Sequence, residues 1–382
     1  MATSTYYNPV RLTFGRGSHT ALPYLLQAAG GQNKLSIMLL FGTRSLKAAG
    51  HLDAIAKLLA GYRYFLQGGV PGNPDIDDIL RFKKMTDDFN YNLIIAAGGG
   101  SVIDMAKALA ALRPAGASSV PELREIVKEN RLPESEEGVQ VWALPTTAGS
   151  GSEVTPWATV WDREEKAKYS LADPRLFPQA AIVDPLLTVS LPAYMTASSA
   201  LDALCHAAEA YWSKNSTFLV RLYALQAIKL ITGSLQNLLA DLSNEKLREK
   251  LSYASLLAGL AFSNTKTTAC HSISYPLTLS YGIIHGVAAS LMLGQVLEKN
   301  LPVIEERDAL LEAFGVRKPA EVTEWVRAVL AQAGIPARLR DYGVREGDLP
   351  DLVDRSSTPG RMDNNPVEID RQFLSELLSG IY

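Results

Sequence analysis

The sequence predicts an α/β domain built on a parallel sheet, residues 1–190, followed by an all-α domain, residues 191–382. Two observations carry that expectation. Thirteen of the 20 prolines lie at or before Pro192 and none falls between Ala193 and Tyr275, a stretch that holds only two glycines. So long a run without helix breakers reads as successive helices. Upstream, short apolar runs alternate with amphipathic stretches, and each run ends in turn-forming residues, as buried parallel strands joined by helices would.

Taken in order, Val10 to Phe14 followed by Gly15 and Gly17 reads as a first strand with a tight turn. Leu35 to Phe41, Leu93 to Ala97, Val141 to Leu144 and Ala180 to Val183 read as core strands. Ala115 to Pro133 reads as a polar surface excursion, and Pro185 and Pro192 bracket the change of class. A composition of 47% hydrophobic and 20% charged residues, without short repeats, excludes a disordered, collagen-like or coiled-coil chain.

A formal charge of -3 without a basic run excludes nucleic acid as a partner, so any bound anion must be met by a local pocket. Two cysteines, Cys205 and Cys270, are too few for a disulfide framework and fit a reducing compartment. The first residues are polar and interrupted by Pro9, unlike a signal peptide. No uninterrupted apolar run reaches the roughly 18–20 residues of a membrane span, so the expected setting is cytoplasmic, with no membrane partner.

Two glycine-rich turns carry the first chemical signal. Asn92 to Ala97 runs into Gly98-Gly99-Gly100-Ser101-Val102-Ile103-Asp104, a strand, a glycine turn and a helix start, where backbone N–H groups and the helix dipole favour a phosphate. Leu144-Pro145-Thr146-Thr147-Ala148-Gly149-Ser150-Gly151-Ser152-Glu153 places small and hydroxyl residues after the next strand. Both point to a nucleotide lying across the carboxyl edge of the sheet. At the end of an earlier strand, Gly42, Thr43 and Arg44 stand where a carboxylate would bind an unmodified ribose, which favours NADPH over NADH.

The second signal is a metal constellation. Asp202 and His206 are four apart on a strong helix former, so they share a face, and His271 and His285 flank Pro276 and Gly282 in a helix–turn–helix pattern. Three imidazoles and one carboxylate suit a divalent transition metal with an open position.

Together the motifs resemble the iron-containing (group III) alcohol dehydrogenase family along essentially the whole chain. The resemblance is carried by Phe14-Gly15-Arg16-Gly17-Ser18, the two glycine-rich turns, Ala181-Ile182-Val183-Asp184-Pro185, Asp202-Ala203-Leu204-Cys205-His206-Ala207-Ala208-Glu209-Ala210-Tyr211 and His285-Gly286. It implies a nucleotide-binding α/β domain and a helical metal-binding domain, with the active site in the cleft between them, in a homo-oligomer. It further implies metal ligands Asp202, His206, His271 and His285, with Fe²⁺ expected and Zn²⁺ or Mn²⁺ as alternatives. The nucleotide would contact Gly99, Gly100, Ser101, Asp104, Thr146, Thr147, Ser150 and Lys168.

Two departures from the family pattern are informative. Tyr275-Pro276-Leu277-Thr278 stands where many members carry a further histidine, which makes Tyr275 a candidate proton relay. Where relatives have a glycine-rich segment, Asn264-Thr265-Lys266-Thr267-Thr268 offers an ammonium and hydroxyls for a small dianion. Ser263 to Thr278, with Trp212 to Ser216, is similar to the branch that reduces phosphonoacetaldehyde. The implied function is metal-assisted reduction of that aldehyde by NADPH, with Lys266 and Tyr275 catalytic and Lys266, Thr267, Thr268 and Arg361 holding the phosphonate. The alternatives are an alcohol dehydrogenase for another small aldehyde and a lyase or cyclase like dehydroquinate synthase.

Overall fold

The computed structural model describes residues 3–43, 45–134 and 138–382, which form two compact units. One comprises Asn8–Thr147 and Ser152–Ser190. The other comprises Leu191–Tyr382 with the N-terminal residues through Tyr7 and the segment Ala148–Gly151.

The first unit contains β1 (Arg11–Phe14), β2 (Ser36–Gly42), β3 (Arg63–Val70), β4 (Leu93–Gly98), β5 (Gln140–Pro145), β6 (Trp157–Asp162), β7 (Ala167–Ala172) and β8 (Ala180–Val183). Six of them form a parallel sheet in the order β1-β8-β5-β4-β2-β3, and β6 pairs antiparallel with β7. Every residue of β4 is buried, as expected for a central strand covered on both faces. The chain leaves β2 for β3 on one side and returns to β4 on the other. The sheet therefore has its topological switch point between β2 and β4, where doubly wound folds open a crevice at the carboxyl ends of their strands.

Two glycines show how tightly this edge is built. A Cβ on Gly98 would lie 2.4 Å from Val102 Cγ2, so only glycine lets β4 turn directly into the helix α1 (Gly100–Leu112). A Cβ on Gly99 would meet Thr147 at 3.2 Å. Asp184 secures the opposite side of the sheet, accepting from the backbone N–H groups of Gly17, His19 and Leu186 and from His19 Nδ1.

Three features depart from the sequence expectation. The edge strand β3 was not anticipated, because its exposure is mixed and it lacks a continuous apolar run. Nor was the β6–β7 hairpin. Within the supposed surface excursion lies a helix, α2 (Val120–Lys128), with a capping box between Ser119 and Glu122 and with Leu123 and Val127 buried.

Within the second unit the secondary structure is helical throughout. The long helices α3 (Ala193–Trp212), α4 (Phe218–Thr232) and α5 (Glu245–Phe262) pack on one another. Next come α6 (Ala269–Tyr281), which contains Pro276 and ends at the left-handed Gly282, and α7 (His285–Ser290), which packs on α3. The helical stretch Phe218–Ala240 has the length and mean hydropathy of a membrane span. Gly233 and Ser234 divide that stretch into two helices, and it includes Arg221 and Lys229.

Candidate metal centre and nucleotide edge

At the nucleotide edge, register does the positioning. Phe41 pairs with Ala97 and Gly98 with Pro145, so the ends of β2, β4 and β5 lie side by side. This brings Gly42 and Thr43, then Gly99, Gly100 and Ser101, then Thr146 and Thr147 to one edge at the switch point. No side chain caps the N-terminus of α1, and its first turn carries no acidic residue. That leaves the backbone and its dipole to an anion, and the residues present fit a dinucleotide phosphate.

Other residues expected at the nucleotide have different places. Asp104 accepts from Ser152 Oγ and, at 2.9 Å, from the Thr159 N–H, so its carboxylate braces α1 against the following loop and β6. Lys107, one turn later, is fully buried and donates to the carbonyls of Thr155 and Trp157. Ser150 belongs to the segment that clusters with the helical unit. Lys168 lies on β7, its ammonium 5.7 Å from the centre of the Trp161 ring. Arg44 lies outside the described residues.

The metal constellation is assembled by three helices of the second unit. Asp202 projects from α3, His271 from the first turn of α6, and His285 begins α7. One ligand atom from each lies within 4.8 Å of the others. His271 Nε2 faces Asp202 Oδ1 at 3.4 Å, and both atoms are buried without a hydrogen-bond partner. Orphaned buried atoms of this kind are costly unless something fills the space between them, so the donor set fits a divalent cation. His206 falls outside this trio. Its ring stacks on His271, centroids 4.5 Å apart, and on Phe262 at 4.1 Å.

Each imidazole has its Nδ1 spoken for. His206 Nδ1 is 3.3 Å from the Gly149 carbonyl, which can only accept. His271 Nδ1 donates to Glu209 Oε2. Ser274 Oγ donates to the His271 carbonyl and so accepts from His285 Nδ1. With these protons on Nδ1, Nε2 is the ring nitrogen each histidine can turn to a metal, His271 only after it gives up a second proton.

The charges agree with this arrangement. Burial would raise the Asp202 carboxyl, but the neighbouring histidines outweigh it and hold Asp202 below the ordinary range. Burial pushes His206 down to about 4, which keeps the ring neutral. Burial would also lower His271, yet Glu209 and Asp202 hold it well above its ordinary value in the metal-free protein. The sign follows: at neutral pH the apo ring keeps its second proton, which a metal at Nε2 must displace. Metal affinity should therefore rise about tenfold per pH unit between roughly pH 7 and 9. Competitive chelator titrations across that range check this, and a flat profile would contradict it.

The predicted substrate residues divide. Lys266 is exposed and left-handed, φ 64°, just beyond α5. Thr267 is buried. Thr268 is a correction: its hydroxyl donates to Glu209 Oε1 at 2.9 Å and accepts from Trp212 Nε1 at 2.9 Å, so it positions its neighbours rather than a substrate. Arg361 is half-buried, with Nη1 on the Gly360 carbonyl. Tyr275 is buried, its ring 5.8 Å from that of His285.

Sequence reasoning missed Asn364, which draws these segments together. Its Nδ2 donates to the carbonyls of Thr265 and Thr267, on either side of Lys266, and its Oδ1 accepts from Ser213 Oγ and Asn215 Nδ2. Glu209 was also missed as a functional residue, although its spacing from Asp202 and His206 puts all three on one helix face.

Comparison with known proteins places these features. Residues 9–185 match the family described as iron-containing alcohol dehydrogenase, and residues 196–382 match the C-terminal domain of the Fe-containing alcohol dehydrogenase family. The phosphonoacetaldehyde reductase of Streptomyces viridochromogenes is 33% identical over 317 residues, covering 79% of each chain. The 1,3-propanediol dehydrogenase of Citrobacter freundii is 33% identical over 329 residues, covering 83% of each. The crystal structure of sulfoacetaldehyde reductase from Bifidobacterium kashiwanohense in complex with NAD+ superposes with a TM-score of 0.89 at 29% identity, covering 100% of this chain and 99% of that one. The matches run through both units in the order the motifs set, and the chain belongs to the iron-containing alcohol dehydrogenase family, as an oxidoreductase acting between alcohols and aldehydes.

Proposed function

We propose that this enzyme reduces phosphonoacetaldehyde to 2-hydroxyethylphosphonate, consuming one NADPH and one proton. The observation that carries this reading is the convergence on Asn364 of the Ser213–Asn215, Thr265–Thr267 and Arg361–Asn365 segments. It fixes the backbone on both sides of Lys266, close in sequence to the start of the helix that bears His271. A lysine held left-handed costs roughly 1 kcal/mol that glycine would not, which points to a use for its side chain. Two of the relatives named above are reductases of two-carbon aldehydes with a tetrahedral anionic group, which supports the same chemistry.

When bound, the metal supplies Lewis acidity to the aldehyde carbonyl, and the nicotinamide supplies hydride. Asp202, His271 and His285 would hold the ion, with His206, stacked on His271, as the fourth ligand that the resemblance implies. The Lys266 ammonium neutralises the phosphonate, assisted by Thr267 and Arg361. Tyr275 Oη supplies the proton for the product hydroxyl, in the place where relatives carry an additional histidine. Thr43 and Arg44 favour NADPH over NADH at the ribose.

The second reading is a small uncharged alcohol, favoured by the equal identity to 1,3-propanediol dehydrogenase and by the exposure of Lys266. Lys266→Ala separates the two, because alanine keeps the Cβ and so leaves the backbone cost unchanged. Its kcat/KM for phosphonoacetaldehyde should fall about 10–100-fold, and that for an uncharged aldehyde by less than about threefold. Equal losses would favour the uncharged substrate.

A further inference from the structure

Glu209 is a charged side chain with no exposure at all, set in the alanine-rich stretch Ala207-Ala208-Glu209-Ala210 of α3. A carboxylate in such a place is stable only if donors surround it. Among the described residues, the donors that reach it come from one short segment, the start of α6. Oε1 accepts from the Thr268 hydroxyl at 2.9 Å and from the His271 backbone N–H at 3.3 Å, and Oε2 accepts from His271 Nδ1. Thr268 occupies the N-cap of α6, but its side chain caps nothing there. Glu209 reaches across from another helix and does that work, which ties the helix end and the imidazole to one anion.

Resting on the reading of Asp202, His271 and His285 as a metal site, we propose that Glu209 is a positioning residue for the metal. It fixes the proton of His271 on Nδ1 and aims the Nε2 lone pair at Asp202. Two contacts on the same histidine, one to the backbone and one to the ring, set the depth of the ring as well as its rotation. The Nδ1 bond alone would leave the depth free. Glutamine has the same size but only one acceptor oxygen, so its amide N–H₂ must oppose at least one of the three donors. The imidazole can then move its proton to Nε2, which blocks ligation.

Titrating the metal-free protein with Co²⁺ or Zn²⁺ against a chelator tests this without measuring turnover. With each affinity corrected for the proton that His271 releases, Glu209→Gln should bind about 10–100-fold more weakly, with an unchanged circular dichroism spectrum. Thr268→Val, which removes only the hydroxyl, should stay within about threefold of the parent. Parent-like affinity in Glu209→Gln, or an equal loss in Thr268→Val, would overturn the proposal. Should Glu209→Gln fail to fold, nitrogen-15 spectra of the Zn²⁺-loaded parent decide. The proposal requires His271 to carry its proton on Nδ1 and the metal on Nε2, and the reverse arrangement overturns it. A parent protein that binds no metal would instead bring down the metal site itself.

Discussion

The His271→Ala protein should lose bound metal and turnover together, with kcat/KM falling by about 1,000-fold or more, some 4 kcal/mol of transition-state stabilisation. His271 is the hinge of the site. It is 2% exposed, stacks on His206, meets His285 edge-on at 5.3 Å and is bonded to Glu209. Removing the ring takes away one of the three assembled ligands and leaves the Glu209 carboxylate buried without its main partner, an arrangement that costs about 3–5 kcal/mol of stability. Metal content by elemental analysis, read on protein shown to be folded, separates ligand loss from collapse. Parent-like activity in a metal-free preparation would refute the role.

Gly286→Ala should be nearly as damaging although it removes nothing. A Cβ at this position would lie 2.1 Å from the Ser198 carbonyl oxygen, 2.8 Å from Asp202 Cβ and 3.0 Å from the Asp202 backbone nitrogen. Two of these three contacts are backbone, so no flexible side chain can yield. The start of α7 must lift away from α3, carrying His285 away from Asp202. Overpacking of this kind costs about 1–3 kcal/mol, and a shift of that size in the ligand set should weaken metal binding by at least roughly tenfold. Thermal melts and chelator titrations measure the two effects. Gly347→Ala, where a Cβ would meet nothing within 4 Å, serves as the control and should be close to neutral. A Gly286→Ala protein with parent-like melting and affinity would contradict the close approach.

How much of this was legible depended on burial and rarity. β4 could be read directly because a strand covered on both faces shows an unbroken apolar run, whereas the edge strand β3 and the β6–β7 hairpin present no such run. The metal residues stood out because the chain has only five histidines. His19 shows the limit of that signal: it is a histidine beside a carboxylate, Asp184, in a turn that the structure uses for capping. Glu209 was passed over because an acid on a helix usually marks a solvated face; its spacing from Asp202 and His206 was a signal, but only the packing of α6 against α3 reveals its partners. Thr268 was misread for a related reason. Hydroxyls next to a metal ligand suggest a substrate, but which way they donate is decided by residues far away in sequence, here Glu209 and Trp212.

The most direct test of the account is steady-state reduction of an aldehyde panel by the metal-loaded parent enzyme with NADPH and with NADH. The panel needs phosphonoacetaldehyde, sulfoacetaldehyde and an uncharged aldehyde of similar length. The account requires kcat/KM for phosphonoacetaldehyde with NADPH to exceed that for the uncharged aldehyde by about 100-fold, the value of one or two charge-assisted hydrogen bonds. It also requires NADPH to outperform NADH. Equal turnover of the charged and uncharged aldehydes would contradict it.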